Sequence, residues 1–362
     1  MISTPTLILD ENRCRANIRS MVSKARTSGS ELRPHFKTHQ SLEIGRWFKE
    51  SGVSKITVSS VGMAKYFSEE WDDITIAFPV NIREINEINA LANSITLNLL
   101  VESEDTVDYL EEDLQNSVNI FIKINLGNSR AGLLPHDRDS IEALAKRINQ
   151  ADNLNLKGFL GHAGQTYSCR DPKQIEAVHQ EAKSKLVKLT QSFLLDYPWI
   201  IASYGDTPSS SVCKDFEGVA EIRPGNFVFY DLMQVQIGAC DSSQIAVAMA
   251  CPVVSIHPWN FEIVIYGGGI HFSKDRMESD HGSVFGKIIR FSPDGFGTVI
   301  PDCYVRNLSQ EHGIIKASEE MINQTKIGDL LYVLPVHSCM TANLMKQYLT
   351  TDGRTIEMFN PF

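Results

Sequence analysis

Short apolar, β-prone runs alternate with stretches of helical periodicity over the first two thirds of the chain, and this alternation restricts the fold more than any other feature. Eight such runs lie near residues 31–36, 55–59, 73–78, 95–101, 118–124, 155–161, 199–204 and 219–223. The clearest helical stretches between them are 41–51, 82–92, 137–150 and 171–195. Strands that alternate with helices pair in parallel through right-handed crossovers, and eight such units close a barrel. The pattern therefore predicts a (β/α)8 TIM barrel over residues 10–240, opened by a helix that Asp10 caps.

The pattern changes after about residue 240, where β-rich runs are broken by Gly, Pro and Asp. These runs are 245–256, 261–266, 285–290, 298–305, 312–317 and 328–334. We interpret residues 241–362 as a separate antiparallel β domain. The opening run 6–9 has no crossover partner in the barrel, so we expect it to pair with this second domain.

Composition and charge exclude several classes of partner. The 362 residues include 34 Lys and Arg against 44 Asp and Glu, for a formal net charge of -10, and no basic run is present. Nucleic acids and anionic membranes require clustered cations, so neither is expected as a partner. The longest weakly polar stretch, 244–256, is too short for a bilayer, and no secretory signal is visible. The seven scattered cysteines never have CxxC spacing, which predicts reduced thiols and a cytoplasmic protein.

Five of the predicted strand ends carry polar segments, where a barrel places its catalytic groups. These segments are residues 33–39, 125–132, 161–167, 203–211 and 221–226. Taken singly, Lys37 is most simply a solvated lysine, Arg130 a surface ion pair and His162 a structural histidine. Taken together, the serine and glycine loops after strands seven and eight can bind a phosphate, and a lysine across the rim can form an imine. This combination indicates pyridoxal 5'-phosphate.

Five ordered motifs resemble those of one enzyme family. Residues 34–39 (Pro-His-Phe-Lys-Thr-His) match its lysine motif, 128–132 (Asn-Ser-Arg-Ala-Gly) its arginine motif, 223–226 (Arg-Pro-Gly-Asn) its phosphate turn, and 309–313 and 335–343 its C-terminal domain. Over nearly its whole length the chain is similar to the fold-type III pyridoxal-phosphate enzymes, the alanine-racemase-like group, and most closely to the D-serine dehydratase and D-threonine aldolase family. The resemblance implies a barrel with a C-terminal β domain, usually in a homodimer with the active site near the subunit interface.

The resemblance also implies roles for the residues that match these motifs. Lys37 would hold the cofactor as an imine and act as the base at Cα, and Arg130 would face the phenolic oxygen of the cofactor. The implied phosphate contacts are Gly205, Thr207, Gly225 and Asn226.

The surroundings of the cofactor ring follow from the same resemblance. Arg223 matches the arginine that meets the pyridine nitrogen in alanine racemases, although Glu221 could serve there instead or simply orient Arg223. Tyr167 would lie beside the imine, and His162 beneath the ring.

His337 and Cys339 form a possible metal pair two residues apart, after the β run 330–334. If this segment is extended, both side chains point to one face. Spacing alone favours the simpler interpretation of a buried cysteine beside an interior histidine, whereas the resemblance favours a metal. Two protein ligands leave positions for water and substrate, as a Lewis-acid site requires. Thiolate and imidazole favour zinc, with manganese or magnesium as alternatives.

The sequence leads to a first function and three alternatives. We expect zinc-assisted dehydration of D-serine, or of a related D-3-hydroxy amino acid, to a 2-keto acid and ammonia, because the dehydratases that the chain resembles carry His-x-Cys whereas the aldolases more often carry His-x-Asp. Retro-aldol cleavage of D-threonine or 3-hydroxy-D-aspartate is the second possibility. Racemisation would need a second base, for which Tyr167 or a partner-subunit residue is the candidate. A non-catalytic cofactor-binding protein would need no second domain.

Overall fold

Two sheets organise the chain, one parallel and one mainly antiparallel. The computed structural model describes residues 2–280, 282–292 and 295–361. The chain begins with strand β1 (Thr6–Leu9) and helix α1 (Glu11–Thr27). The Asp10 carboxylate accepts a hydrogen bond from the backbone N–H of Arg13 at 3.0 Å, which confirms that Asp10 caps α1.

The parallel sheet contains all eight strands that the sequence predicts. They are β2 (Glu31–Leu32), β3 (Ile56–Val58), β4 (Asp73–Pro79), β5 (Thr96–Val101), β6 (Val118–Ile124), β7 (Leu154–Gly161), β8 (Ile201–Tyr204) and β9 (Glu221–Ile222). Their order is β2-β9-β8-β7-β6-β5-β4-β3, and a parallel bridge between His35 and Thr57 joins the two outer strands. The (β/α)8 barrel is confirmed. β2 and β9 are shorter than predicted, because Pro34 and Pro224 soon follow them and lack the N–H that a ladder needs.

Helices follow the barrel strands, and the longer ones bury an apolar face against the sheet. They are α2 (Leu42–Glu50), α3 (Val61–Phe67), α4 (Ile85–Ala92), α5 (Glu104–Asp113), α6 (Arg138–Gln150), α7 (Pro172–Phe193), α8 (Thr207–Val212) and α9 (Leu232–Gln236). The predicted helical stretches correspond to α2, α4, α6 and α7, with a 3-10 turn (Ile82–Glu84) before α4. Within the described ranges, no helix combines the length and apolar character that a bilayer crossing requires.

The second sheet combines β1 with strands that follow the barrel. These are β10 (Val247–His257), β11 (Glu262–Tyr266), β14 (Gly286–Ser292), β15 (Gly295–Leu308), β16 (His312–Lys316), β17 (Leu330–Pro335), β18 (Gln347–Thr350) and β19 (Thr355–Glu357), with a separate hairpin of β12 (Met277–Ser279) and β13 (Gly282–Val284). Three short helices lie between them, α10 (Gly269–Phe272), α11 (Glu319–Gln324) and α12 (Ser338–Met345). The C-terminal antiparallel domain is thereby confirmed.

The strand order of the second sheet shows where the first strand, β1, lies. The order is β11-β16-β15-β14-β17-β10-β1-β18-β19, with a further pairing of β10 with β11. β1 runs antiparallel to β10, with Thr6 opposite Ala250, and parallel to β18. The expectation that residues 6–9 join the second domain is confirmed. The predicted boundary at residue 240 falls in the connection between α9 and β10.

A buried ion network holds together the strands on which the site is built. Arg33, just after β2, donates hydrogen bonds at 2.7 Å to Glu221 of β9 and to Asp73 of β4. Arg33 and Glu221 are 1% and 2% exposed. Burial opposes the charge on Arg33, but the two carboxylates hold its pKa above the usual value. Removing one partner would leave a charge uncompensated in the barrel interior.

Replacing Glu221 with Gln should lower the free energy of unfolding by about 3 kcal/mol, the lower end for a broken buried pair because Asp73 remains beside Arg33. Glu31 is the matched control: it lies opposite Glu221 in the ladder and forms an exposed ion pair with Lys55 at 2.6 Å. Glu31→Gln should cost less than about 1 kcal/mol. Urea unfolding of both variants measures the difference, and equal losses would contradict the assigned importance of the buried pair.

Candidate active site

The turn after β2 carries Lys37, whose side chain is exposed at the barrel rim. The Gln40 amide donates to the carbonyl of Lys37 at 3.1 Å and so fixes the turn. The Thr38 hydroxyl lies 3.2 Å from the sulfur of Cys339 in the second domain. The lysine turn and one member of the predicted metal pair therefore meet, although 301 residues separate Thr38 and Cys339 in sequence.

The turns after β8 and β9 leave no room for side chains at their two glycines. Gly205 has a φ of +129°, and a Cβ there would lie 3.0 Å from the backbone nitrogen of Arg223. A Cβ on Gly225 would lie 2.8 Å from the carbonyl oxygen of His35. The backbone N–H of Gly225 donates to the Thr207 hydroxyl at 3.3 Å. These turns together form a cradle of backbone and hydroxyl groups of the kind that binds phosphate.

Two buried oxygens beside this cradle lack partners among the residues that the structure describes, namely Oδ2 of Asp206 and Oγ of Ser210. The other carboxylate oxygen of Asp206 accepts from the Ser209 backbone N–H at 2.8 Å, as the N-cap of α8, and from the Thr166 hydroxyl at 2.9 Å. Burial raises the pKa of Asp206 to about 6, against the effect of these hydrogen bonds. A buried, unpartnered hydroxyl at the cradle fits a site that binds an oxygen-rich ligand.

His162 and Tyr167 follow β7, and both contact residues of the cradle. Nδ1 of His162 lies 3.0 Å from the carbonyl oxygen of Gly205, so Nδ1 carries the proton of the neutral ring and Nε2 is an acceptor. Burial lowers the pKa of His162 to about 3, with Lys37 and Arg130 adding to the effect, so the ring is neutral. Burial also raises the pKa of Tyr167, which hydrogen-bonds to Thr207 and stays protonated.

Arg223, rather than Glu221, is directed toward the other cofactor-site residues. The Arg223 guanidinium donates to the hydroxyl of Ser203 and, at 2.6 Å, to the carbonyl of Gly161. Glu221 accepts from Arg33 at 2.7 Å and from Ser203 at 2.5 Å, so both its oxygens are occupied. Direct contact of Glu221 with the ring nitrogen is therefore disfavoured. The alternative, in which Glu221 orients Arg223 through Ser203, is favoured.

Lys123 is a buried residue of this site that sequence reasoning missed. Its side chain points inside the barrel from β6, is 7% exposed and donates to the carbonyl of Ile124 at 2.9 Å. Burial, together with the nearby charges of Arg223 and Arg130, lowers its pKa to about 7. Arg130 itself is exposed on the loop after β6. The one available signal was a single lysine within the apolar run 118–124.

The segment from His337 to Cys339 is not extended throughout, so the condition under which both side chains would point to one face is not met. Ser338 begins α12, and His337 is its N-cap, because β17 ends at Pro335 and the chain turns there. The two side chains nevertheless meet through a hydrogen bond. Burial opposes charge on His337, but Asp275 and Cys339 raise its pKa to about 11, and His337 in turn lowers the pKa of the Cys339 thiol despite burial.

Asp275, also missed by sequence reasoning, orients the histidine of this pair. Its carboxylate lies 2.8 Å from Nδ1 of His337, which leaves Nε2 for a metal. A thiolate and an imidazole held by a carboxylate fit a transition metal, which would replace the shared proton. No set of three or more His, Cys, Asp or Glu suited to a metal occurs in the described part of the chain, so the protein supplies at most an open site.

The side chain of Asn226 faces the metal pair rather than the cradle. Its amide donates to Asp231 at 2.6 Å, to the Ser338 hydroxyl at 3.1 Å and to the Cys339 sulfur at 3.5 Å. Any contact of Asn226 with a phosphate would therefore use its backbone N–H. The structure brings the predicted barrel residues to the carboxyl ends of the strands, with Arg130 exposed there, and Cys339 reaches them from the second domain through Thr38 and Asn226.

Two family models match the chain. The model of the alanine racemase N-terminal domain matches residues 9–232, and that of the serine dehydratase domain matches residues 246–351. The chain is also 30% identical to a D-serine dehydratase of Dictyostelium discoideum, with 99% of this chain and 96% of that protein covered. The chain belongs to the D-serine dehydratase family of alanine-racemase-like proteins. It is an enzyme of that fold, and the resemblance inferred from the motifs is confirmed.

Solved structures of D-serine dehydratase relatives superpose over the whole chain. D-threo-3-hydroxyaspartate dehydratase from Delftia sp. HT23 is 25% identical with a TM-score of 0.92, covering 100% of this chain and 99% of that one. A mutant of that dehydratase has been solved in a metal-free form. D-threonine aldolase from Filomicrobium marinum shares the fold, with 21% identity, a TM-score of 0.85 and coverage of 99% and 95%.

Asp206→Asn should stabilise this D-serine dehydratase relative in its cofactor-free form above pH 6, because the neutral amide can cap α8 without a buried charge. The pKa of Asp206 is raised to about 6 in the folded state, so the wild type binds more protons folded than unfolded and loses stability as pH rises from about 4 to 6. The stability gain of the variant should grow over that window to about 3 kcal/mol and then stay constant. Urea unfolding at pH 4 to 8 measures it, and a gain independent of pH would contradict the assignment.

Proposed function

We propose that this chain is a pyridoxal-phosphate- and zinc-dependent lyase that dehydrates D-serine, or a related D-3-hydroxy amino acid, to a 2-keto acid and ammonia. The observation that carries the proposal is the 3.2 Å contact between Thr38 and Cys339, which brings the metal pair next to Lys37. β-Elimination requires a base that removes the Cα proton and, close to it, a group that stabilises the leaving hydroxide. Manganese or magnesium in place of zinc would fit the thiolate less well.

The cradle after β8 and β9 is where we propose that the cofactor phosphate binds. Gly205, Gly225 and Asn226 would donate backbone N–H groups, and Thr207 would donate its hydroxyl. The unpartnered hydroxyl of Ser210 supports an oxygen-rich ligand there. When bound, pyridoxal phosphate supplies an electron sink that makes the Cα proton of an amino acid removable.

The side chains around the cradle would orient the cofactor ring. Arg223, held by Ser203 and Gly161, would donate to the ring nitrogen, and Arg130 would donate to the phenolic oxygen from the rim. His162 is neutral and would lie against the ring without adding charge. A cationic arginine at the ring nitrogen would not transfer a proton to it, which suits elimination with a modest electron sink.

Lys37 is the residue that we propose moves the proton at Cα. Its charge lowers the pKa values of both His162 in the barrel and Cys339 in the second domain, which supports a role for Lys37 between the cradle and the metal pair. Tyr167 is on the same rim, but burial raises its pKa and keeps the phenol protonated. A protonated Tyr167 is a poor second base, which disfavours racemisation within one subunit.

His337 and Cys339 would hold the metal, with Asp275 behind the histidine. A metal there would stabilise negative charge on the departing hydroxide, which is otherwise a poor leaving group. The same group can assist retro-aldol cleavage, so D-threonine aldolase activity is the second candidate, favoured by the fold shared with the Filomicrobium enzyme. A non-catalytic binder is disfavoured, because the second domain contributes Cys339 directly to the rim.

We further propose that the two domains bind different groups and that the protein forms a homodimer. Residues 10–240 would bind the cofactor, and 241–362 with 1–9 would carry the metal. The helices α10 and α12 pack together through a hydrogen bond from the Thr341 hydroxyl to the Phe272 carbonyl at 3.1 Å, and they expose Ile270, Met340 and Leu344 beside the metal pair. This apolar face supports a partner subunit near the site. Seven free cysteines support a reducing, cytoplasmic location.

Incubation of the purified protein, loaded with pyridoxal phosphate and zinc, should release keto acid and ammonia in equal amounts from D-serine or 3-hydroxy-D-aspartate. Lys37→Ala should lower the rate by at least about 1,000-fold, since a positioned base typically contributes 100- to 10,000-fold. Lys185→Ala, on the outer face of α7 where Lys185 pairs with Glu181, should leave the rate unchanged.

The products distinguish the alternatives. Glycine with an aldehyde from D-threonine would contradict dehydration and establish the aldolase. Interconversion of D- and L-alanine would establish a racemase. No turnover of any D-amino acid would favour the non-catalytic binder.

A further inference from the structure

Asp231 joins the two halves of the site through one carboxylate. It is 1% exposed and lies between the phosphate turn (residues 225–226) and the metal turn (residues 337–339). Its Oδ2 accepts hydrogen bonds from the Asn226 amide at 2.6 Å, from the Ser338 backbone N–H at 3.0 Å and from the Ser338 hydroxyl at 3.3 Å. One buried oxygen therefore receives donors from both turns.

The two carboxylate oxygens of Asp231 accept hydrogen bonds from different parts of the structure. Oδ1 accepts from the backbone N–H of Gln234 at 3.0 Å and caps α9, which is an ordinary structural use of a helix N-cap. Oδ2 makes no contribution to that cap. It contacts only Asn226 and Ser338 among the hydrogen bonds that the described residues give it.

The donors to Oδ2 lie directly beside the proposed ligand-binding atoms. Ser338 is the residue between His337 and Cys339, and it begins α12. Asn226 follows Gly225 of the cradle and also donates to the Cys339 sulfur at 3.5 Å. A shift of either turn would therefore stretch charge-assisted hydrogen bonds to Asp231 and be transmitted to the other turn.

We propose that Asp231 is a positioning residue that ties the phosphate turn to the metal turn, so that cofactor affinity and metal affinity rise together. The proposal rests on the function proposed above, in which the first turn holds the cofactor phosphate and the second holds the metal. Coupling of this kind is reciprocal, because a ligand that orders one turn lowers the cost of ordering the other.

The experiment compares Asp231→Asn with Asp171→Asn. Asp171 is the matched control, because it caps α7 through the N–H of Gln174 at 2.9 Å, as Asp231 caps α9 through Gln234, but it does not join the two turns. Co²⁺ is the probe: a cobalt–thiolate bond gives a near-ultraviolet charge-transfer band, and competition with a chelating dye gives the dissociation constant. Each protein is titrated with and without pyridoxal phosphate.

In the wild type, pyridoxal phosphate should tighten Co²⁺ binding. Asp231→Asn should weaken Co²⁺ binding about 10- to 100-fold, as for other residues that orient metal ligands, and should remove most of the tightening by the cofactor. Asp171→Asn should change neither quantity, whatever it does to the melting temperature. Ser338→Ala removes only the hydroxyl donor and should weaken Co²⁺ binding about threefold to tenfold, which gives a reading if Asp231→Asn does not fold.

Two results would overturn the proposal alone: a wild-type cobalt affinity that pyridoxal phosphate does not change, or equal cobalt affinities in Asp231→Asn and Asp171→Asn. If only Ser338→Ala folds, an unchanged affinity in that variant overturns it as well. A wild type that gives no cobalt–thiolate band would overturn both this proposal and the metal part of the proposed function, and so distinguishes the two failures.

Discussion

The contact between the metal turn and the barrel rim is the interaction on which the site depends. Without it, the barrel would present a lysine and a phosphate cradle, and the second domain a histidine–cysteine pair, at separate places. Thr38 and Asn226 both approach the sulfur of Cys339, and Asp231 accepts a hydrogen bond from the backbone N–H of the neighbouring Ser338. The chain's start strengthens the same junction, because β1 lies in the second sheet and α1 packs on the barrel.

Burial decides the charge of several groups near this contact. It keeps His162 and Tyr167 neutral and lowers the pKa of Lys123 to about 7. Groups that stay charged in the interior have specific partners, as Arg33 has in Glu221 and Asp73. The site therefore combines neutral groups, His162 and Tyr167, with the buried cation of Arg223, and this pattern suits a reaction that creates negative charge at two separate atoms.

The repeating period of strands and helices made the barrel predictable, since all eight strands and the role of β1 follow from pattern alone. The motifs at strand ends made the grouping of the candidate cofactor residues predictable, because parallel strands bring their carboxyl ends together. The local path at His337 was not predictable: a two-residue spacing has the same appearance in a strand and at a helix start. Asp275 and Asp231 were missed because their roles depend on contacts between distant segments, 62 residues apart for Asp275 and His337. Lys123 was missed because its burial follows from the closing of the barrel around β6.

In the proposed function, the barrel and the second domain assist different steps, with Lys37 moving the Cα proton and the metal pair assisting loss of the hydroxyl. Proton NMR of D-serine in D₂O, recorded together with ammonia release, separates these steps. In cofactor-loaded protein stripped of metal by a chelator, we predict that the Cα hydrogen still exchanges with deuterium while ammonia release stops, and that Lys37→Ala loses both. Ammonia release at full rate from the metal-free protein, or loss of Cα exchange together with ammonia release, would contradict the account.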